Sequence, residues 1–272
     1  MKLSLNGATT MKADLPTDIR AASEAGFDFV EIWAAKLRTY LQTNRVTELR
    51  SLFDEAGVEP LSINSIEHIT FRTSDEYKQI RNQCEELSSI ASQLRCPYLV
   101  VVPGKLPSPA PTHGLIIDES VRVLRELASI AQQHDVALGF EFLGQTDCSV
   151  QTLDLANEIV SRVAMLNVGL VIDSFHFYTG GSTVEMIKKL DPDRVFIFHI
   201  NDAEDLPREE LHDSKRLLPG LGILPLREMM QAFKSIAYDR VASVEIFRPE
   251  YWERDPFEIS REAFTATKNV LT

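Results

Sequence analysis

No stretch of this 272-residue chain stays apolar for the roughly 20 residues that a membrane-crossing helix requires, because proline and glycine punctuate it throughout. Nothing at the N-terminus reads as a signal peptide. Cysteine is scarce. Cys84, Cys96 and Cys148 are an odd number at no metal-like spacing, which excludes a disulfide framework and a thiolate zinc site and points to a reducing, cytoplasmic setting. Positive charge is also short, with 28 lysines and arginines against 40 acidic residues. The net charge of -12 disfavours a phosphate backbone or an anionic membrane as partner. The glycine-rich turn of a dinucleotide-binding sheet is missing as well. Gly220-Leu-Gly222 lacks a third glycine and a preceding strand, and Gly104-Lys105 is no P-loop.

What is present is a strand-helix rhythm. Apolar residues make up 44% of the chain and charged ones 25%, ordinary globular usage. Short apolar runs predict strands at Leu3, Phe27 to Trp33, Pro60 to Ile66, Tyr98 to Val102, Val136 to Phe140, Val168 to Ile172, Arg194 to Ile200 and Val241 to Val244. Helical spacing fills the gaps, over Ala13 to Gly26, Leu37 to Gly57, Ser74 to Arg95, Ile117 to His134, Leu153 to Ala164, Val184 to Leu190, Leu226 to Tyr238 and Pro256 to Leu271. Pro103 to Gly114 and Asn201 to Gly222 read as long loops on the active face. Eight strands alternating with eight helices predict a single α/β domain over residues 1–272, a closed (β/α)8 TIM barrel.

Four successive strands end in one metal-capable side chain each: Glu141, Asp173, His199 and Glu245. In a parallel barrel the residues after the strands face one mouth, so these four converge there. Three carboxylates and an imidazole predict one divalent ion, manganese or zinc ahead of cobalt or magnesium. Each residue alone also has a plainer reading, as a helix cap, a loop ion pair or a satisfied core histidine. It is the repetition over four strands that favours the ion.

Gly26-Phe-Asp-Phe-Val-Glu-Ile32, Asp173-Ser-Phe-His176, Phe198-His-Ile-Asn-Asp202, Pro219-Gly-Leu-Gly222 and Ser243-Val-Glu-Ile-Phe-Arg-Pro-Glu250 resemble the xylose-isomerase-like sugar isomerases and epimerases over the whole chain. The stretches Asp173 to Phe177 and Glu245 to Tyr251 look nearest to the inosose (2-keto-myo-inositol) isomerase branch of inositol catabolism. The resemblance implies the same four metal ligands, with Glu141 and Glu245 doubling as catalytic acid and base. It implies isomerisation of a cyclic polyol ketone, the 2-keto-myo-inositol to 1-keto-chiro-inositol type, by proton transfer through an enediolate.

Around that centre His176 is expected either to bond a substrate oxygen or to orient a ligand. Arg216 resembles the family's substrate-contacting arginine, and is otherwise a solvated loop charge. Arg248 clamps a hydroxyl or pairs with Glu250. Trp33, His68, Asn6, Glu31 and Asn64 end the early strands and line the other half of the mouth, with a structural ion pair an equal reading of Glu31. Ketohexose 3-epimerisation and inosose dehydration use the same proton chemistry, and a non-catalytic sugar-binding barrel is a third class. The related apurinic endonucleases fit poorly, since strand four here ends Val102-Pro-Gly104 where they place a histidine. A homo-oligomer is compatible with the sequence and is not required by it.

Overall fold

Alternation along each strand decides which side chains a barrel turns inward. The computed structural model describes residues 1–271. In it β1 (Lys2–Asn6), β2 (Phe29–Trp33), β3 (Glu59–Ile66), β4 (Tyr98–Val101), β5 (Ala137–Glu141), β6 (Val168–Asp173) and β7 (Val195–Ile200) pair in parallel, in sequence order. A two-stranded antiparallel ribbon, β8 (Asp202–Ala203) with β9 (Arg216–Leu217), follows β7. Then β10 (Val241–Val244) pairs with both β7 and β1 and closes the barrel. The expected (β/α)8 architecture is the one observed.

Two hydrophobic layers hold it. The larger lies between the strands and the surrounding helices. The smaller, with Leu61, Val100, Val171, Phe196, Ile197 and Val241, plugs the barrel interior. Two residues further along the same inward face, Val171 leads to Asp173 and Ile197 to His199, so the apolar plug ends where the polar mouth begins. Gly139 makes room in this plug, since a Cβ there would meet Val171 Cγ2 at 2.6 Å. Among the described residues no helix is long and apolar enough to cross a membrane.

The differences from the expected elements are local. The helical material of Leu37 to Gly57 is two helices, Ala34–Leu41 and Val46–Ala56, because Asn44 donates to the Tyr40 carbonyl and the Glu48 carboxylate accepts from the Arg45 amide to start the second. A short helix, Ser174–Thr179, follows β6 without a loop. Asp173 caps it, accepting from the His176 amide at 2.8 Å, and this fixes His176 over the mouth. Only Val184–Ile187 of the helix expected at Val184 to Leu190 is helical.

The long segment after β7 is tied down at Asp202. Its Oδ1 accepts from the amides of Ala203 and Leu224, and its Oδ2 from that of Gly220. Gly222 packs so close that a Cβ would lie 2.0 Å from the Ala203 carbonyl oxygen. A Gly222→Ala variant should therefore lose about 1–3 kcal/mol of stability through overpacking, read as a lower urea midpoint with unchanged m. An unchanged midpoint would contradict this account of the segment.

Candidate metal centre

The four strand-end residues meet. One ligand atom from each of Glu141, Asp173, His199 and Glu245 lies within 4.8 Å of all the others, and all four residues are buried. His199 Nδ1 is 2.9 Å from Glu141 Oε1 and 3.4 Å from Glu245 Oε2. Three carboxylates packed this tightly in a dry mouth need positive charge. The donor set and its burial suit one divalent metal ion.

The nearest built-in cation is Arg216, at the start of β9. Its Nη1 donates to Asp173 Oδ2 at 2.8 Å and to Glu245 Oε2 at 3.1 Å. Nη2 donates to Asp213 Oδ1 at 2.7 Å and to His176 Nε2 at 3.1 Å, and Nε donates to Asp213 Oδ1 at 3.1 Å. A guanidinium has five N–H groups, and all five are engaged. The Phe175 and Phe247 rings sandwich it, 5.0 and 5.1 Å from its central carbon. Because His176 Nε2 accepts from Arg216, the proton of the neutral ring sits on Nδ1; burial, the main cause, lowers the pKa of this imidazole.

Above these groups is a cleft of about 280 Å3 whose lining includes Trp33, His68, Glu141, His176, Arg216 and Glu245. Asp173 and His199 lie behind it. Arg248 does not reach the cleft. Its Nη1 pairs with Glu204 Oε1 at 2.7 Å and its Nε approaches Glu250 at 3.4 Å, so the hydroxyl clamp gives way to a tie between the segment after β7 and the turn after β10. A larger cavity of about 750 Å3 lies between residues 218–228 and the closing helix, but it holds none of the four clustered residues.

Further side chains complete the centre. Asn64 Nδ2 and Asn6 Nδ2 donate to Glu245 Oε1 at 2.9 and 3.1 Å. Asn201 Nδ2 donates to Asp173 Oδ2 at 2.7 Å. Asn201 and Asp213 were not singled out in the sequence. Asn201 follows β7 directly and so carried the same strand-end signal as its neighbours, whereas Asp213 sits in a polar loop with none. Glu31 is fully buried beneath the cluster, its Oε1 2.9 Å from His199 Nε2.

Burial pushes Glu141 up to about 8; His199 opposes the shift and the Glu245 charge adds to it. Burial works against a charged His199, yet Glu31, Glu245 and Glu141 together hold it well above the usual histidine range. Burial likewise works to raise Glu245, but His199 and Arg216 outweigh it and keep this carboxyl below its ordinary value. At pH 7 the ion-free centre thus retains protons on Glu141 and His199 that ligation must remove. Uptake of one divalent ion should release about two protons, and affinity should climb as pH rises from 6 toward 8. Calorimetry in buffers of different ionisation enthalpy measures this, and a heat independent of buffer would contradict it.

The family described as xylose isomerase-like TIM barrel matches residues 19–269. The chain is 36% identical over 279 residues to an inosose isomerase of Bacillus licheniformis, covering 100% of this chain and 98% of the relative. An inosose isomerase of Bacillus subtilis (strain 168) is 35% identical with the same coverage. A D-psicose 3-epimerase of Enterocloster bolteae is 26% identical over 86% of this chain and 77% of its own. A crystal structure of the IolI protein with a bound zinc atom superposes with a TM-score of 0.96 at 35% identity, over 100% of this chain and 98% of that one. With the closed barrel, the buried acidic cluster and these matches together, the chain belongs to the xylose isomerase-like TIM barrel family.

Proposed function

We propose that the protein interconverts neighbouring keto isomers of an uncharged cyclic polyol, of the 2-keto-myo-inositol to 1-keto-chiro-inositol type. Glu141, Asp173, His199 and Glu245 would hold one divalent ion, and the zinc in the similar IolI structure favours zinc. When bound, the ion would polarise the ketone and its adjacent hydroxyl.

One observation carries the assignment of roles. Of the four clustered residues only Glu141 and Glu245 line the cleft, while Asp173 and His199 are sealed behind them. The two glutamates are the groups that reach a substrate carbon. One takes the proton from the hydroxyl-bearing carbon, leaving an enediolate across two carbons. The hydroxyl proton passes to the former ketone oxygen and a glutamate delivers a proton to the former ketone carbon, so that the carbonyl moves by one position. Asn6 and Asn64, both donating to Glu245 Oε1, keep that carboxylate aimed. Trp33 and Phe247, edge to face at 5.6 Å, supply an apolar corner for the ring.

Charge narrows the substrate further. Arg216 has no N–H to spare, the lining holds no lysine, and Glu67, Glu141, Asp213 and Glu245 all line the cleft, so a carboxylate or phosphate on the substrate meets repulsion with no free side-chain ammonium or guanidinium to offset it. The full-length likeness to inosose isomerases supports the cyclic ketone.

Incubation with inosose in deuterated water tests the reading. The expected product has its carbonyl shifted by one carbon and solvent deuterium at the carbon that was the ketone. Inverted stereochemistry at the hydroxyl-bearing carbon beside an unmoved ketone, or loss of water, would instead assign epimerisation or dehydration. Glu245→Gln and Glu141→Gln should each lower turnover by on the order of 10²–10⁴-fold at full metal content. A ketone of the same ring size bearing a carboxylate should not turn over.

A further inference from the structure

Glu31 is the third residue of β2 and is wholly inaccessible, and it does not line the cleft. No substrate touches it. A buried carboxylate is costly unless paired, so its partners disclose its task. The Ser62 hydroxyl donates to Oε2, and Asn6 Nδ2 donates to Oε1 at 3.3 Å. The Asn6 amide is itself held by its Oδ1, which accepts from the Ala8 amide at 2.9 Å, so its Nδ2 must face the carboxylates. Glu31 is therefore fixed from β1 and β3, and its Oε1 lies 2.9 Å from His199 Nε2 on β7.

His199 has one nitrogen on each side of a divide. Nδ1 faces Glu141 and Glu245, at 2.9 and 3.4 Å, and Nε2 faces Glu31. An imidazole that ligates through one nitrogen must carry its proton on the other, and that proton needs an acceptor. Nε2 is buried, Glu31 Oε1 stands 2.9 Å from it, and Nε2 bonds no other side chain or backbone group among the described residues. Among the described residues no competing acceptor bonds Nε2.

We infer that Glu31 is a positioning residue that keeps the His199 proton on Nε2, leaving the Nδ1 lone pair turned toward Glu141 and Glu245. The inference rests on the metal centre proposed above. It assigns Glu31 the work of a hydrogen-bond acceptor rather than that of a bare counter-charge. Glutamine keeps an acceptor oxygen for His199, and its amide can donate to the Ser62 hydroxyl, whereas methionine fills similar space with no acceptor.

The test uses the full chain and zinc, in competition with a chromophoric chelator, with 15N NMR of His199 in the zinc-loaded protein and thermal unfolding of each ion-free variant. Wild type and Glu31→Gln should both show zinc on Nδ1 and a proton on Nε2, with dissociation constants within a few-fold of each other. Glu31→Met should bind zinc about 10–100-fold more weakly. Equal zinc affinity in Glu31→Met overturns the inference, and so does a Glu31→Gln loss as large as that of Glu31→Met, which would make charge the operative property. Should Glu31→Met not fold, the wild-type spectrum still decides, since zinc on Nε2 overturns it outright. Failure of wild type to take up zinc removes the metal centre and the inference together. Tight uptake with no difference among the variants removes the inference alone.

Discussion

The mouth of this barrel concentrates more negative charge than its own cations neutralise. Glu31, Glu141, Asp173 and Glu245 are all buried there, against one guanidinium, Arg216. Burial forbids water from making up the difference. The upward shifts of Glu141 and His199 are the protein's answer when only protons are on hand. A dication substitutes for those protons, so the affinity for metal and the strain of the ion-free centre have the same origin.

The fold supplies this arrangement through repetition. On β5, β6 and β7 a small or aliphatic inward residue in the plug is followed two positions later by a polar one in the mouth, and at β10 Glu245 comes four positions after the plug residue Val241. Supporting amides arrive from elsewhere: Asn6 ends β1, Asn64 lies in β3 and Asn201 follows β7. They hold the carboxylates by N–H donation and add no charge. Arg216 arrives on the ribbon after β7, so the guanidinium of the centre depends on the Asp202 anchor of that segment.

The barrel and the four strand-end residues were legible because their signals are periodic and repeated. A run of aliphatic residues ending in one ligand-type side chain survives any uncertainty about loop structure. Trp33, His68 and His176 reach the cleft as their strand or helix positions imply. Arg248 was ambiguous, because its partner Glu204 lies 44 residues away on a loop whose path local sequence does not specify. Glu31 shows the other limit. Phe29, Glu31 and Trp33 share the inward face of β2, which marks the position as interior, but only the fold shows that His199 stands opposite. The ribbon is too short to leave a pattern, with two residues per strand.

Asn6 and Glu245 are 239 positions apart, yet they bond across the line where the first and last staves of the barrel join. The same join seats Thr9, whose hydroxyl donates to the Val244 carbonyl and accepts from the Ile246 amide. The aim of the Glu245 carboxylate is thereby made contingent on ring closure. Glu245 directly follows β10, so its carboxylate reaches the mouth only when that last stave is seated. The first and last strands thus share one task, closing the ring and completing the mouth.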